Sequence, residues 1–125
     1  MDEFVSLGDV GDLDDGQMKQ TDAAGHEFLV AKVEGEFYVS DARCPHLHGH
    51  LARGTLDGAI VTCPVHHSKF NLIDGSVVRW TDFTGAIKSV TDLARHPRPL
   101  RVYESKLDGT KLSVGPQKPP PDQDA

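Results

Sequence analysis

Cysteine is scarce in this chain: its 125 residues contain only Cys44 and Cys63. A disulfide scaffold needs more pairs and an oxidising compartment, so two cysteines argue against one. No run approaches the roughly 18 apolar residues of a membrane span. The start, MDEFVSLGDV, lacks the basic-then-apolar order of a secretory signal. Positive charge is also short, with 13 Lys and Arg against 19 Asp and Glu and a net charge of −6. An acidic chain is poorly suited to gripping phosphate backbones. The expectation is a soluble, cytoplasmic protein with no nucleic-acid partner and no membrane contact. What is present is globular: 38% hydrophobic and 26% charged residues, at a length that fits one domain. Such a short chain buries only about two-thirds of its extended surface, so a group bound by the folded state alone would add needed stability.

The apolar pattern is that of short strands. Residues 28–33 (FLVAKV) and 37–39 (FYV) flank Glu34, Gly35 and Glu36, a hairpin signal. Residues 59–62 (AIVT), 76–80 (SVVRW), 100–105 (LRVYES) and 111–114 (KLSV) follow, with Asp74-Gly75 and Asp108-Gly109 as turn signals. Six or more such strands with Gly-rich turns predict an all-β, antiparallel sandwich or small barrel. One short helix is expected at 91–95. Residues 2–22 hold seven acids against Lys19 alone, which reads as a solvated face or loop, with a docking patch for a basic partner as the alternative. The last ten residues, PQKPPPDQDA, contain four prolines and no large apolar side chain. They are expected to be a disordered tail, 116–125, after a domain at 1–115.

The histidines are clumped. Five of seven, His46, His48, His50, His66 and His67, share one stretch with both cysteines. Two short motifs stand out there: Cys44-x-His46 and Cys63-x-x-His66, with 16 residues between His46 and Cys63. Each offers a thiolate and an imidazole, both good ligands for soft or borderline metals. Two of each would close a tetrahedral zinc site. They would equally hold two irons bridged by two sulfides, with the cysteines on one iron and the histidines on the other. Two ferric ions, two sulfides and two thiolates carry no net charge, so one added electron leaves only −1. An all-cysteine cluster would instead pass from −2 to −3, and the histidine-ligated cluster accepts its electron more readily.

These residues resemble the Rieske [2Fe–2S] motif. Gly54, Thr55, Leu56, Asp57 and Gly58 stand where such ferredoxins turn between their two binding loops, and Lys69-Phe70 and Asp74-Gly75 follow the second loop in the usual places. The likeness covers roughly residues 3–114. It implies an antiparallel Rieske-like β-sandwich with a small cluster-binding subdomain formed by two loops. It implies one [2Fe–2S] cluster per chain, with Cys44, His46, Cys63 and His66 as metal ligands. Zinc fingers space their ligands differently, as Cys-x₂₋₄-Cys and His-x₃₋₅-His. His67 stands where the family commonly has glycine, which makes it a rival to His66 by composition; His48 and His50 rival His46 in the same way. The membrane-complex branch adds a cysteine in each loop, and its places are taken here by Leu47 and Val65, so the likeness is to the soluble ferredoxins.

That resemblance implies a one-electron carrier between a flavin-dependent reductase and a terminal oxygenase, itself a monomer and no enzyme. A small Rieske subunit of a nitrite-reductase-type oxidoreductase is the alternative. In the high-potential branch a serine two positions after the second histidine donates to a bridging sulfide, and a tyrosine four positions after it donates to a cysteine sulfur. Here those positions hold Ser68 and Phe70. One donor of two predicts a potential in the lower half of the family's range of about −150 to +300 mV, unless Ser68 bonds only its own loop.

Overall fold

The apolar run at 28–31 shows no alternation, because its strand is covered on both faces. Successive strand side chains point to opposite sides. Phe28 and Val30 enter one hydrophobic cluster, with Leu7, Val10, Leu13, Val39, Leu112 and Val114. Leu29 and Ala31 enter a second, with Leu51, Val61, Phe70, Leu72, Leu100 and both cysteines. The computed structural model from which this is read describes residues 4–45, 49–65, 67–79 and 99–119.

Among the described residues, ten strands form two antiparallel sheets. They are β1 (Val5–Asp9), β2 (Met18–Ala23), β3 (His26–Val33), β4 (Glu36–Asp41), β5 (Thr55–Asp57), β6 (Ile60–Thr62), β7 (Lys69–Asn71), β8 (Val77–Arg79), β9 (Val102–Asp108) and β10 (Lys111–Gln117). The larger sheet has the order β1-β10-β9-β4-β3-β2; the smaller is the meander β5-β6-β7-β8. The edges of the larger sheet approach each other, Lys19 Nζ of β2 donating to the Asp9 carbonyl of β1 at 3.2 Å, so the sheet curls nearly into a barrel. β4 and β9 are neighbours, pairing Val39 with Tyr103 and Ser40 with Val102. The smaller sheet and both motif loops are therefore one excursion, residues 42–101, between two adjacent strands of the larger sheet.

The expected hairpin at 34–36 is present as a two-residue turn. Val33 pairs with Glu36, and Glu34 and Gly35 take φ of 50° and 83°. Both central residues of such a turn need positive φ, and Gly35 accepts this without penalty. Other expectations are corrected. The acidic stretch 2–22 is not simply a loop: it contributes β1 and β2 and buries Leu7 and Val10. Its acids also serve turns. Asp9 Oδ1 accepts from Gly11 N at 2.8 Å and Oδ2 from the Thr110 hydroxyl at 3.1 Å, and Asp15 accepts from Gly35 N at 2.9 Å. Those bonds, the Gly11 amide first, hold the Asp9 carboxyl below the usual range. The Gly54–Gly58 turn is in fact largely strand, β5. β10 continues to Gln117, and Lys118 N donates to Val102 O, so ordered structure reaches beyond the expected boundary at 115. The helix expected at 91–95, and the segment around it, lie outside the described residues.

Candidate metal centre

Both motif loops are built on one backbone plan. In the first, Cys44 N donates to Gly49 O at 2.9 Å; in the second, Cys63 N donates to Ser68 O at 2.8 Å. Each cysteine thus sits at the base of a six-residue ring closed by its own amide. The first ring is braced below by the Arg43–His50 bridge and by Leu51 N donating to Ala42 O at 3.0 Å. The second is the connection between β6 and β7, tightened by His67 N donating to Cys63 O at 3.0 Å. A 3-10 turn, Leu51–Arg53, leads out of the first ring.

The rings press on each other. A Cβ on Gly49 would stand 2.9 Å from Cys63 Sγ and 2.5 Å from Val65 Cγ2, so only glycine passes there. A Cβ on Gly54 would collide with the Thr62 carbonyl oxygen. These two glycines bring Cys63 against the first ring, and both cysteines, each 1% exposed, join one apolar cluster. Both thiols are free of disulfide. Sequence reasoning missed Gly49 and Gly54 as site residues, since the contacts that demand them, with Cys63, Val65 and Thr62, arise only once the chain folds back on itself.

The remaining candidates divide as follows. His46, His48 and His66 lie outside the described residues. His50 is half-buried and its Nδ1 meets Gln20 Oε1 of β2 at 2.9 Å, so that edge of the ring faces the larger sheet. His67 is exposed and holds φ of 62°, the left-handed conformation that L residues pay for and glycine does not. Ser68, the residue that closes the second ring, is fully buried, and so is Phe70 in the apolar cluster. Pro64 and Val65, at the ring's tip, are exposed.

Beside the first ring a groove of about 560 Å³ runs from Cys44 and Pro45 to His26, Asp41, Arg43 and Arg101. Asp41 is its hub. Oδ1 meets His26 Nε2 at 2.8 Å and accepts from the Tyr103 hydroxyl at 2.5 Å, while Oδ2 faces Arg101 Nε at 2.9 Å. Burial, and then the bond to Asp41, pushes the Tyr103 hydroxyl well above its ordinary pKa. Arg43 Nε pairs with Glu27 Oε1 at 3.0 Å and holds the Glu27 carboxyl below the usual range. His26 has this role because β3 starts where β4 ends.

Two buried thiols at the bases of touching loops, on an all-β scaffold, are donors suited to a soft-metal centre. The chain matches the Rieske [2Fe-2S] domain over residues 3–103. It belongs to that family. It is 32% identical over 104 residues to the ferredoxin component of biphenyl 2,3-dioxygenase from Rhodococcus jostii, covering 83% of this chain and 84% of that protein. It is 36% identical over 109 residues to Apoptosis-inducing factor 3 of Mus musculus, covering 87% of this chain but spanning only 16% of that protein's length. The ferredoxin of carbazole 1,9a-dioxygenase from Nocardioides aromaticivorans shares the fold with a TM-score of 0.72 at 22% identity, over 90% of this chain and 97% of that one. A Rieske domain carries one [2Fe–2S] cluster, and the donors present fit it: two thiols free of disulfide, buried together, each with its own amide tied back into its loop. Among the described residues no helix is long and apolar enough to cross a membrane.

Proposed function

We propose that this chain is a one-electron carrier, receiving electrons from a flavin-dependent reductase and delivering them to a terminal oxygenase. The observation that carries this reading is the contact of Gly49 with Cys63 Sγ, which brings the two cysteine-bearing loops to one place. Cys44 and Cys63 would ligate one iron, His46 and His66 the other. When bound, the cluster supplies a one-electron couple whose net charge passes between zero and −1. The chain's own work is to hold the thiols in an apolar cluster with Leu51, Val61, Phe70, Leu72 and Leu100, away from water. Ser68, the buried residue that closes the second ring, is proposed to direct its hydroxyl at the sulfur side of the site.

The relatives of comparable length support this assignment, being ferredoxin components of oxygenase systems, such as that of biphenyl 2,3-dioxygenase. The carrier is proposed to act as a cytoplasmic monomer, with substrate chemistry left to the oxygenase. The test is the visible and electron-spin spectrum of the purified chain, with iron, sulfide and zinc analysis and stopped-flow reduction by a flavoprotein reductase. Two irons and two sulfides per chain with fast one-electron turnover are expected. A colourless zinc protein would refute the proposal.

A further inference from the structure

The charge of this chain is divided along its fold. Residues 4–41 and 102–119, which form the larger sheet, hold eleven acids and five bases. Residues 42–73, which carry both cysteine loops, hold three bases, Arg43, Arg53 and Lys69, against one acid, Asp57. Asp57 pairs with Ile60 at the end of the β5–β6 hairpin remote from Thr62 and Cys63.

The basic side chains surround the loops. Arg43 precedes Cys44, and Arg101 faces it across the groove. Arg53 is exposed and precedes Gly54, whose Cα lies close under Pro64 of the second ring. Lys69 Nζ donates to Thr62 Oγ1 at 2.9 Å, next to Cys63. Glu27 and Asp41 balance Arg43 and Arg101. Arg53 and Lys69 have no acidic partner among the described residues, so the loop face keeps a positive excess. Asp22, opposite Glu27 in the β2–β3 register, is an acid that stays at the loop end, but Asp9, Asp15, Glu34 and Asp108 gather at the opposite end. Asp9 is bonded to Thr110 and Asp15 to Gly35, placing both at the tips of the β9–β10 and β3–β4 hairpins with Glu34 and Asp108. From Val102 to Asp108, β9 spans about 20 Å at roughly 3.4 Å per residue step, so that end lies at least so far from Arg101.

Resting on the electron-carrier reading, we infer that the loop face is a basic docking surface, and that the partner it fits presents an acidic surface around its own redox centre. Opposite charges at the two ends also orient the chain in such a partner's field, cysteine loops first. At about 0.1 M salt the screening length is ~10 Å, so the acids some 20 Å away contribute little at the loops. Local charge, rather than the net −6, then sets the sign of attraction.

The test uses small inorganic oxidants of opposite charge. The purified holoprotein is reduced with dithionite. One electron then passes to hexacyanoferrate(III), giving hexacyanoferrate(II), or to tris(bipyridine)cobalt(III), giving the cobalt(II) complex; no bond to the protein changes. Between about 0.1 and 1 M salt, where screening tightens from ~10 to ~3 Å, the rate with the anion should fall several-fold and that with the cation should not fall. Arg53→Glu should slow the anion several-fold at low salt, with the difference vanishing at high salt. Lys111→Glu, an equal change in net charge at the far hairpin, should leave the rate unchanged. The inert anion hexacyanochromate(III), read by amide line broadening, should mark Ala52–Gly54 and Arg101 and spare Gly109 and Thr110. A rate with the anion that rises with salt, equal effects of the two variants, or broadening at the far hairpin would overturn the inference while leaving the carrier reading intact. A chain without a visible cluster spectrum would overturn both.

Discussion

His67→Gly should stabilise this protein, and the reason is confined to one backbone torsion. His67 holds φ of 62° in the ring that Cys63 begins. An L residue in that conformation costs roughly 1–2 kcal/mol relative to glycine. Glycine in turn loses about 0.4–1 kcal/mol more backbone freedom on folding. The difference favours glycine by about 0.5–1 kcal/mol. The amide of residue 67 keeps its bond to Cys63 O, which does not depend on the side chain. For a chain of this length such a gain raises the thermal midpoint by about 2–5 °C. The assay is far-UV circular dichroism and visible absorbance of the holoprotein at a single scan rate, for wild type, His67→Gly and His67→Ala. Alanine removes the imidazole but keeps the strained torsion, so it should not share the gain. Equal stabilisation by both variants would refute the argument, since the benefit would then come from losing the imidazole. A lower midpoint for glycine would show that the ring does not carry the strain assigned to it.

Four further outcomes are expected. Replacing His46 or His66 by Ala should abolish the visible and electron-spin signals, while His48→Ala, His50→Ala and His67→Ala keep them; loss at His67 with His66 tolerated would reverse the ligand assignment. Ser68→Ala should lower the reduction potential: a hydrogen bond to a charged group is worth about 1.5–3 kcal/mol, which for one electron is ~60–130 mV, whereas an unchanged potential in a voltammetric titration would mean that the buried hydroxyl serves only its loop. Gly54→Ala should yield little coloured protein, because a Cβ there meets the Thr62 carbonyl oxygen; normal iron content would contradict the close approach of the loops. Tyr103→Phe should cost about 1.5 kcal/mol in urea titrations, the low end for a bond to a charged acceptor at a half-buried site. The Tyr103 pKa is raised in the fold. Its contribution is therefore complete below the ordinary tyrosine value near 10 and lost as pH rises from there toward the folded value. The variant should lack that alkaline loss.

Much of the architecture was legible because its signals are local. The turn at Glu34-Gly35 needs positive φ at adjacent positions, and the flanking β-branched and aromatic residues need a pleated, half-buried surface. The Cys44-x-His46 and Cys63-x-x-His66 motifs stood out as candidates because ligand chemistry restricts residue types at short range. β1 and β2 were hidden inside an acidic stretch. Their acids mostly serve turns or solvent, while a few buried residues such as Leu7 and Val10 hold them to the core. β5 and β7 are three residues each, too short to show a period.

By itself, the sequence determined that the chain is a small antiparallel β protein with two soft-metal loops, because strand alternation, turn chemistry and Cys/His spacing act over a few residues. Tertiary structure alone decided that Gly49 must be glycine, that His26 joins Asp41, Tyr103 and Arg101 in one cluster, and that acidic and basic residues segregate to opposite ends. The Gly49 contact arises where the two loops fold against each other, and the Asp41 cluster depends on which strand ends meet across the β4–β9 junction. That pairing joins residues some 60 positions apart, and no window of local sequence contains it.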